Sequence, residues 1–524
     1  MTTHQVLING QWRDSDSSGT FQANDPKAAA PIPEDFPVSS WAECETALDA
    51  ATACFEQLRS TSRQDIAKFL DAYADRIDAR SEEIRTMAAL ETALPFDTRL
   101  VGELARTSGQ LRQAATAARS ASWCMPVIDT ANGIRSYYAA IGPVAVFGPN
   151  NFPLAFGSIS GGDFAAAIAA GNPVIAKANS MHPGTTRLLA EEAQAAADET
   201  GMPKGIVQMI YRIAHADGER LASDPRVAAI GYTGSRHAGL VLKSAADKVG
   251  KPIYLELSSV NPVVILPGAL AERAEEIATE LTTSCLMGAG QFCTNPGMIV
   301  LQEGASSDQF VETIAKNFGD APVGTLFSKS GENGLASAVE TLKSAGADAV
   351  CGGTTGGGEG FCYANTVLKV SGDAFVSNPE TFQTEAFGAS TLVVLAKSTA
   401  QMTEILGHLE GNLTGCVYSA TDGGDDSDYD AVVPNLRQKV GRLINDKMPT
   451  GVAVSPAMNH GGPFPATGHP GFTAVGVPGS IVRFSMLQCF DAVRPHRLPE
   501  ILQDKNPGDV WRQIDGQWSK SDVS

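Results

Sequence analysis

The sequence predicts an α/β protein of two domains, each built on a parallel sheet with helices on both faces. Three observations carry this. The chain has 524 residues, too many for one ordinary compact core. From residue 141 onward, short continuous apolar runs alternate with helical stretches, the pattern of strands buried on both sides. The alternation comes in two series, with a break soon after Leu257.

Residues 41–120 precede the strands and read mainly as helix. "ALDAATACFEQLRSTSRQDIAKFLDAYADRIDARSEEIRTMAALET" carries apolar residues at three- and four-residue intervals, with charges between them. The strands then follow in order: "PVAVFG" (143–148), "PVIAKA" (173–178), "IVQMIY" (206–211), "VAAIGY" (227–232), "IYLEL" (253–257), "PVVILP" (262–267) and "MIVLQ" (298–302). Helices such as "SRHAGLVLKSAADKV" and "ALAERAEEIATELTTSCL" separate several of them. A further strand–helix series holds "TLVVLA" (391–396), "GCVYSA" (415–420) and "RLIND" (442–446). "CGGTTGGGEG" (351–360) and "TDGGDDSDYD" (421–430) read as surface loops.

A hydrophobic content of 43% with 19% charged residues describes a folded globular chain. The formal net charge of -19 argues against a nucleic-acid or anionic-membrane partner, which would want a basic face. It leaves an anionic substrate open, because one local arginine can override the overall field. "MTTHQVLINGQWRDS" shows no secretory signal, and no apolar run reaches the length of a membrane span. Nine cysteines are scattered with no CxxC pair. Zinc knuckles and thioredoxin-type motifs are therefore not expected, no metal is assigned, and reduced thiols in a cytoplasm are.

Four stretches could carry chemistry. Cys293 stands in "GAGQFCTNPG" (288–297), where Gly288 and Gly290 permit close backbone approach. A thiol so placed can become a nucleophile if backbone N–H groups or a base stabilise its thiolate; by itself, one cysteine among nine is more often structural. Glu256 is the single carboxylate at the end of the apolar strand "IYLEL". It must be paired, neutral or working, and ligands gather at the carboxyl ends of parallel strands. "FGPNNFP" (147–153) offers the amides of Asn150 and Asn151 at a strand end, as oxyanion donors or as plain turn formers. "IGYTGSRHAGLVL" (230–242) is strand, turn and helix, a weak phosphate cradle with Gly231, Gly234 and Ser235; no GxGxxG occurs anywhere.

Together these stretches resemble the NAD(P)-dependent aldehyde dehydrogenase superfamily, whose motifs occur here in the same order: "NFP" (151–153), "GNPVIAK" (171–177), "YTGS" (232–235), "LELSS" (255–259), "GQFCT" (290–294) and "EAFGA" (385–389). The opening "LINGQW" (7–12) resembles the usual start of such chains. The resemblance implies two Rossmann-like domains and a small β oligomerisation arm. The cofactor domain would be 1–122 with 142–257, the catalytic domain 258–455, the bridging segments 123–141 and 478–495, and the substrate-funnel loop and tail 456–477 and 496–524. It implies Cys293 as nucleophile, Asn151 with the Cys293 amide as oxyanion site, and Glu256 as activator of the hydrolytic water. For NAD or NADP it implies Lys177 at the adenosine ribose, Ser235 at the pyrophosphate, Thr233 and Gly234 as further cofactor contacts, and Glu385 with Phe387 at the nicotinamide ribose. It also implies a homodimer or homotetramer.

Departures from the family pattern are informative. NAD-preferring relatives often carry a glutamate where Ser180 stands; without it a 2′-phosphate is neither repelled nor crowded, so NADP should be accepted. A lysine assigned a proton-relay role in many relatives is replaced by Ser160, and the tryptophan common before "NFP" by Asn150. "SISGGDFAAAIAAGNPVIAKANSMHPGT", "GELARTSGQLR" (102–112), "PTGVAVSPAMNHGGPFPATGHPGFTAVG" (449–476) and "VRPHRLPEIL" (493–502) are similar to the branch holding α-ketoglutarate semialdehyde dehydrogenases, with NADP-dependent fatty-aldehyde dehydrogenases as kin. A short oxo-acid aldehyde needs a cation near it. Arg99, Glu103, Arg106 and Gln110 share one helical face; Arg106 is the candidate for the distal carboxylate and Phe152 a second substrate contact, against the alternative that both arginines pair structurally with Glu103. An acylating, coenzyme A-dependent dehydrogenase and a non-catalytic protein on this scaffold remain the competing readings.

Overall fold

The computed structural model describes residues 3–523. Two seven-stranded sheets form its body. The first runs, edge to edge, through Ile253–Glu256, Ala229–Thr233, Val144–Phe147, Val174–Lys177, Val207–Ile210, Val6–Ile8 and Gln11–Arg13. Its first five strands are parallel, and the N-terminal hairpin closes one edge antiparallel. Val144–Phe147 is buried throughout, as a strand covered on both faces must be.

Strand order reverses at Val144–Phe147: the chain goes first to Val174–Lys177 on one side and later to Ala229–Thr233 on the other. That reversal opens a crevice at the carboxyl ends of the strands, the usual ligand position in such sheets. Phe147, Lys177, Thr233 and Glu256 all end their strands there.

The second sheet has the order Asp348–Cys351, Thr366–Ser371, Ser390–Ala396, Met298–Gln302, Pro262–Ile265, Asn412–Tyr418 and Val440–Asn445. All but the first of these strands are parallel. The predicted helical region holds four α-helices, Trp41–Leu58, Arg63–Ala79, Ser81–Thr92 and Val101–Ser120. Ser40 and Ser62 cap the first two by accepting from the N–H groups of Glu43 and Asp65. No described helix is long and apolar enough to cross a membrane.

A third sheet of five strands forms an arm. Ile134–Ala140 pairs antiparallel with Ser485–Asp491 along its full length. Two features differ from the sequence reading. The tail 496–524, grouped there with the funnel, adds strands Arg512–Ile514 and Gln517–Ser519 to the arm, beside Val127–Asp129. Arg512 pins it: wholly buried, its guanidinium donates to the carbonyls of Gln503, Asp504 and Ser521. The acidic stretch 421–430 is only partly a loop, because a helix Asp426–Lys439 begins within it.

Asp425 explains that second difference. It is 4% exposed, and its carboxylate accepts from the N–H groups of Gly268 and Ala269 at 2.8 Å each and of Ala420 at 2.7 Å. The first two open the helix Pro267–Leu286 that leads to Cys293, so the anion satisfies orphan donors at a positive helix end. Asp425→Ala would strand three buried donors and should cost about 2–4 kcal/mol. A lowered urea midpoint in equilibrium unfolding, with Asp425→Asn intermediate, checks this.

Candidate active site

The helix Pro267–Leu286 ends and the chain turns through Gly288, Ala289 and Gly290 with φ of +57°, +56° and +70°. A Cβ on Gly290 would lie 2.1 Å from the Gly388 carbonyl oxygen. Only glycine lets the thiol loop press against "EAFGA" in this way. Asn261 holds the loop from below: its amide donates to the carbonyls of Cys293 and Asn295 at 2.9 Å each. Asn412 in turn accepts from the backbone N–H groups of Val260 and Asn261 at 2.9 and 3.1 Å. Neither asparagine was singled out in the sequence.

Cys293 faces Glu256 as expected, and a third residue stands between them. His460 Nε2 lies 2.8 Å from Glu256 Oε1 and 3.5 Å from Cys293 Sγ. Glu256 is 5% exposed and His460 2%. His460 belongs to the loop 456–477, which is fastened to the end of Ile253–Glu256: Leu257 N–H donates to Ala466 O at 2.8 Å, and Glu256 bridges Thr467. The His460 N–H donates to Thr473 Oγ1 at 2.8 Å. The family resemblance places this loop in the substrate funnel without singling out His460, whose one local signal is a histidine among glycines, which says nothing without the tertiary contact.

Burial pushes the Cys293 thiol well above its ordinary value, and the Glu256 charge pushes it further. Burial also favours the neutral form of Glu256, but the electrostatic attraction and hydrogen bond of the adjacent His460 ring, with smaller help from Cys293 and Arg483, outweigh it and hold the carboxyl below its usual range. A carboxylate so close to Nε2 assigns the ring proton to that nitrogen. One ring atom therefore serves both neighbours. It can hand its proton to Glu256 and then take the thiol proton, leaving a thiolate beside an N–H donor.

Asn151 comes to the same loop: its amide donates to Gln291 O at 3.1 Å, leaving a second N–H on the same nitrogen. Phe152 is 7% exposed, with its ring edge-on to Phe156 and Phe292 and under the Arg99 guanidinium at 4.2 Å. It builds the wall of the site more than it offers a contact face. Ser160, where many relatives have lysine, donates to Leu154 O at 2.6 Å and is buried.

Arg99, in the short helical turn Phe96–Leu100, and Arg106, in the helix Val101–Ser120, part company. Arg99 pairs with Glu103 at 2.5 Å, and Glu103 also accepts from the N–H groups of Leu154 and Ala155 at 3.0 Å each. That pair is structural. Arg106 makes no ion pair among the described residues; it stacks 4.9 Å over Phe156 and reaches Gln110 at 3.5 Å. One of its terminal nitrogens is buried without a partner. Burial lowers its pKa, opposed chiefly by the neighbouring Cys293 and Glu103.

A cleft of about 950 Å³ adjoins the switch point, lined by Lys177, Ser180, Arg212, Thr233, Gly234 and Ser235 among others. Ser235 caps the helix Arg236–Asp247, whose N-terminus opens on the cleft. Two cations and a helix N-terminus suit a ligand with phosphates. Among the lining residues Glu219 is the one carboxylate. Burial, helped by Arg212, pulls the Lys177 ammonium down to about 8. Glu385 and Phe387 instead line a small hollow with Gly290 and Phe292. There Glu385 accepts from Ser259 N–H at 3.2 Å, and burial raises its carboxyl to about 7.

A thiol, a carboxylate and an amide converge beside a phosphate-suited cleft in an α/β fold. The chain belongs to the aldehyde dehydrogenase family, whose pattern matches residues 12–455. It is 38% identical to alpha-ketoglutaric semialdehyde dehydrogenase 2 of Azospirillum brasilense, over 98% of this chain and 99% of that one. It is 34% identical to the alpha-ketoglutaric semialdehyde dehydrogenase of Acinetobacter baylyi, over 97% and 98%. Its fold matches aldehyde dehydrogenase C of Pseudomonas syringae, solved with NAD+ and octanal, at a TM-score of 0.81, 20% identity and coverage of 95% and 98%. The aldehyde dehydrogenase of Bartonella henselae matches at 0.80, with 21% identity over 94% and 100%.

If His460 sets the state of the thiol, His460→Asn should slow alkylation of Cys293 by iodoacetamide at pH 7 by roughly 10-fold or more. Mass spectrometry of the Cys293 peptide against time measures it, with the buried Cys285 as the unreactive internal standard.

Proposed function

We propose that the protein oxidises 2,5-dioxovalerate (α-ketoglutarate semialdehyde) to 2-oxoglutarate, with NADP or NAD as hydride acceptor. The observation that carries the substrate is Arg106, a half-buried guanidinium near the thiol, one terminal nitrogen of which is buried and without a partner among the described residues. A buried cation without a counter-ion is costly unless a ligand completes it. The names of the two relatives reported above agree with an oxo-acid aldehyde. A long apolar chain would leave that guanidinium unpaired, which disfavours the fatty-aldehyde reading. Glu256, poised within the thiol's reach, disfavours transfer of the acyl group to coenzyme A.

Each residue has a task. The Cys293 thiol passes its proton to the His460–Glu256 pair and adds to the aldehyde carbon as thiolate. The free Asn151 N–H and the Cys293 backbone N–H hold the oxygen that becomes charged. The dinucleotide, when bound, supplies the hydride acceptor. Cys293 then carries the acyl group as a thioester; Glu256 releases the proton taken from the thiol to solvent and, ionised again, takes one from the water that attacks the thioester. Attack and hydrolysis use the same oxyanion donors, so one preorganised site lowers both barriers. Lys177, Ser180, Thr233, Gly234 and Ser235 would hold the adenosine and pyrophosphate end of the dinucleotide, with Glu385 and Phe387 toward its nicotinamide ribose.

This reading assigns 1–122 and 142–257 to the cofactor domain and 258–455 to the catalytic domain. Segments 123–141 and 478–495 would form the contact of a homodimer or homotetramer, where Met486 and Leu487 are 45% and 57% exposed on the outermost arm strand. A cytoplasmic location completes the proposal.

A substrate panel with both cofactors tests the whole. The specificity constant for 2,5-dioxovalerate should exceed those for succinic semialdehyde, butanal and long aldehydes; a wide margin for long aldehydes would overturn the assignment. Arg106→Leu should raise the KM for 2,5-dioxovalerate by roughly 30-fold or more, the loss of a charge-assisted pair, while the KM for butanal barely moves. Ser180→Glu should shift the NADP-to-NAD preference at least about 10-fold toward NAD. Lys177 is charged below about pH 8 and neutral above it. The KM for NADP should therefore rise as pH passes upward through that value, and Lys177→Met should abolish the rise.

A further inference from the structure

Glu256, Cys293 and His460 each present one metal-binding atom, all within 4.8 Å of one another. Sulfur, imidazole nitrogen and carboxylate oxygen are the three donor types that zinc takes, and three protein ligands with an open fourth position make a familiar zinc geometry. With bonds of about 2.0–2.3 Å, tetrahedral ligand atoms lie roughly 3.3–3.8 Å apart. Cys293 Sγ and His460 Nε2 already stand 3.5 Å apart. Nε2 and Glu256 Oε1, at 2.8 Å, need open by only about half an ångström to reach that range.

Two further observations point to a ligand here. Glu256 Oε2 is buried and has no hydrogen-bond partner among the described residues, so the carboxylate can reach an ion with the sacrifice of one bond, that of Oε1 to His460. The donors are also anchored from three separate elements: the strand Ile253–Glu256, the loop held by Asn261, and the loop held through Thr473. Such support outside the ligand atoms is what sets metal-ligand orientation.

We propose that this triad is also a reversible binding site for Zn2+, with Cys293 Sγ, His460 Nε2 and Glu256 Oε1 as ligands and water at the fourth position. Zinc binds the thiolate, so the Cys293 proton leaves to solvent. The ring proton moves from Nε2 to Nδ1, which holds no hydrogen bond among the described residues. No group changes oxidation state. The ion occupies the sulfur lone pair, so the bound form cannot add to a carbonyl. Binding follows from the geometry alone; inhibition of turnover rests on the catalytic role proposed for Cys293.

The test uses the full chain, treated with EDTA and desalted, with Cys489→Ser as background because Cys489 is the exposed cysteine. Titration calorimetry with Zn2+ should give one ion per chain. Co2+ should give thiolate charge-transfer absorption and the visible bands of a tetrahedral site. Cys293→Ser and His460→Asn should each weaken zinc binding roughly 100-fold or more, and Glu256→Gln by less. In the unmutated triad, zinc should block iodoacetamide labelling of Cys293 and EDTA should restore it, a readout that does not depend on how the variants fold. Unchanged Co2+ spectra in Cys293→Ser, or full labelling at saturating zinc, would overturn the proposal. If zinc binds at the triad but Cys293→Ser still oxidises aldehydes, the catalytic reading fails and the site stands. If Cys293→Ser is inactive but zinc does not protect Cys293, the metal site alone fails.

Discussion

His460 Nε2 stands in hydrogen-bond reach of Glu256 Oε1 and beside Cys293 Sγ, and much of the site depends on that one contact. Glu256 is an ionisable group on an apolar strand end, almost without exposure. Left alone, a buried carboxylate becomes neutral. The imidazole keeps it charged, and burial together with the charged Glu256 holds the thiol above its ordinary value. The same contact ties the loop 456–477 across the first sheet to the loop of the second. Removing the ring would leave a buried carboxylate unpaired and loosen the joint between the two halves at once.

The fold explains why the parts meet here. Reversal of strand order at Val144–Phe147 opens the first sheet at its carboxyl edge, and Asn151, Lys177, Thr233 and Glu256 all follow from strand ends at that edge. Cys293 arrives differently. It comes on the approach to Met298–Gln302, before the strand, so it needs a loop of tight backbone turns and not a strand end. Gly290 pays the steric requirement of packing on Gly388, and Asn261 replaces the regular hydrogen bonding that a loop lacks.

Legibility followed the range of the interactions. Strands and helices were readable because apolar periodicity is local, and the ordered motifs around Cys293 and Glu256 were specific in combination. His460 was not readable: its partners lie 204 and 167 residues away, and no local pattern marks it. Arg99 and Arg106 were indistinguishable on one helical face; packing separates them, since the "NFPLA" turn brings its N–H groups to Glu103 and draws Arg99 there. Asp425 misled for a related reason. Acidic, glycine-rich composition usually means a solvated loop, but a carboxylate also suits a buried helix start, and only the neighbouring helix decides which.

Overall charge and local charge also part ways. The chain carries a formal net charge of -19, yet both candidate ligands are anions. Exposed charges are screened over a Debye length of about 8 Å at physiological salt, so the acidic exterior scarcely reaches a buried group. Inside, Arg106 is half-buried without an ion-pair partner among the described residues, and Lys177 and Arg212 face the cleft together. Burial lowers the Lys177 ammonium, and the repulsion of Arg212 adds to it. An arriving phosphate or carboxylate relieves that repulsion as well as adding its own attraction, so anion binding gains on both counts. The acidic surface then has a separate effect: it discourages unspecific polyanions while these few enclosed cations select small ones.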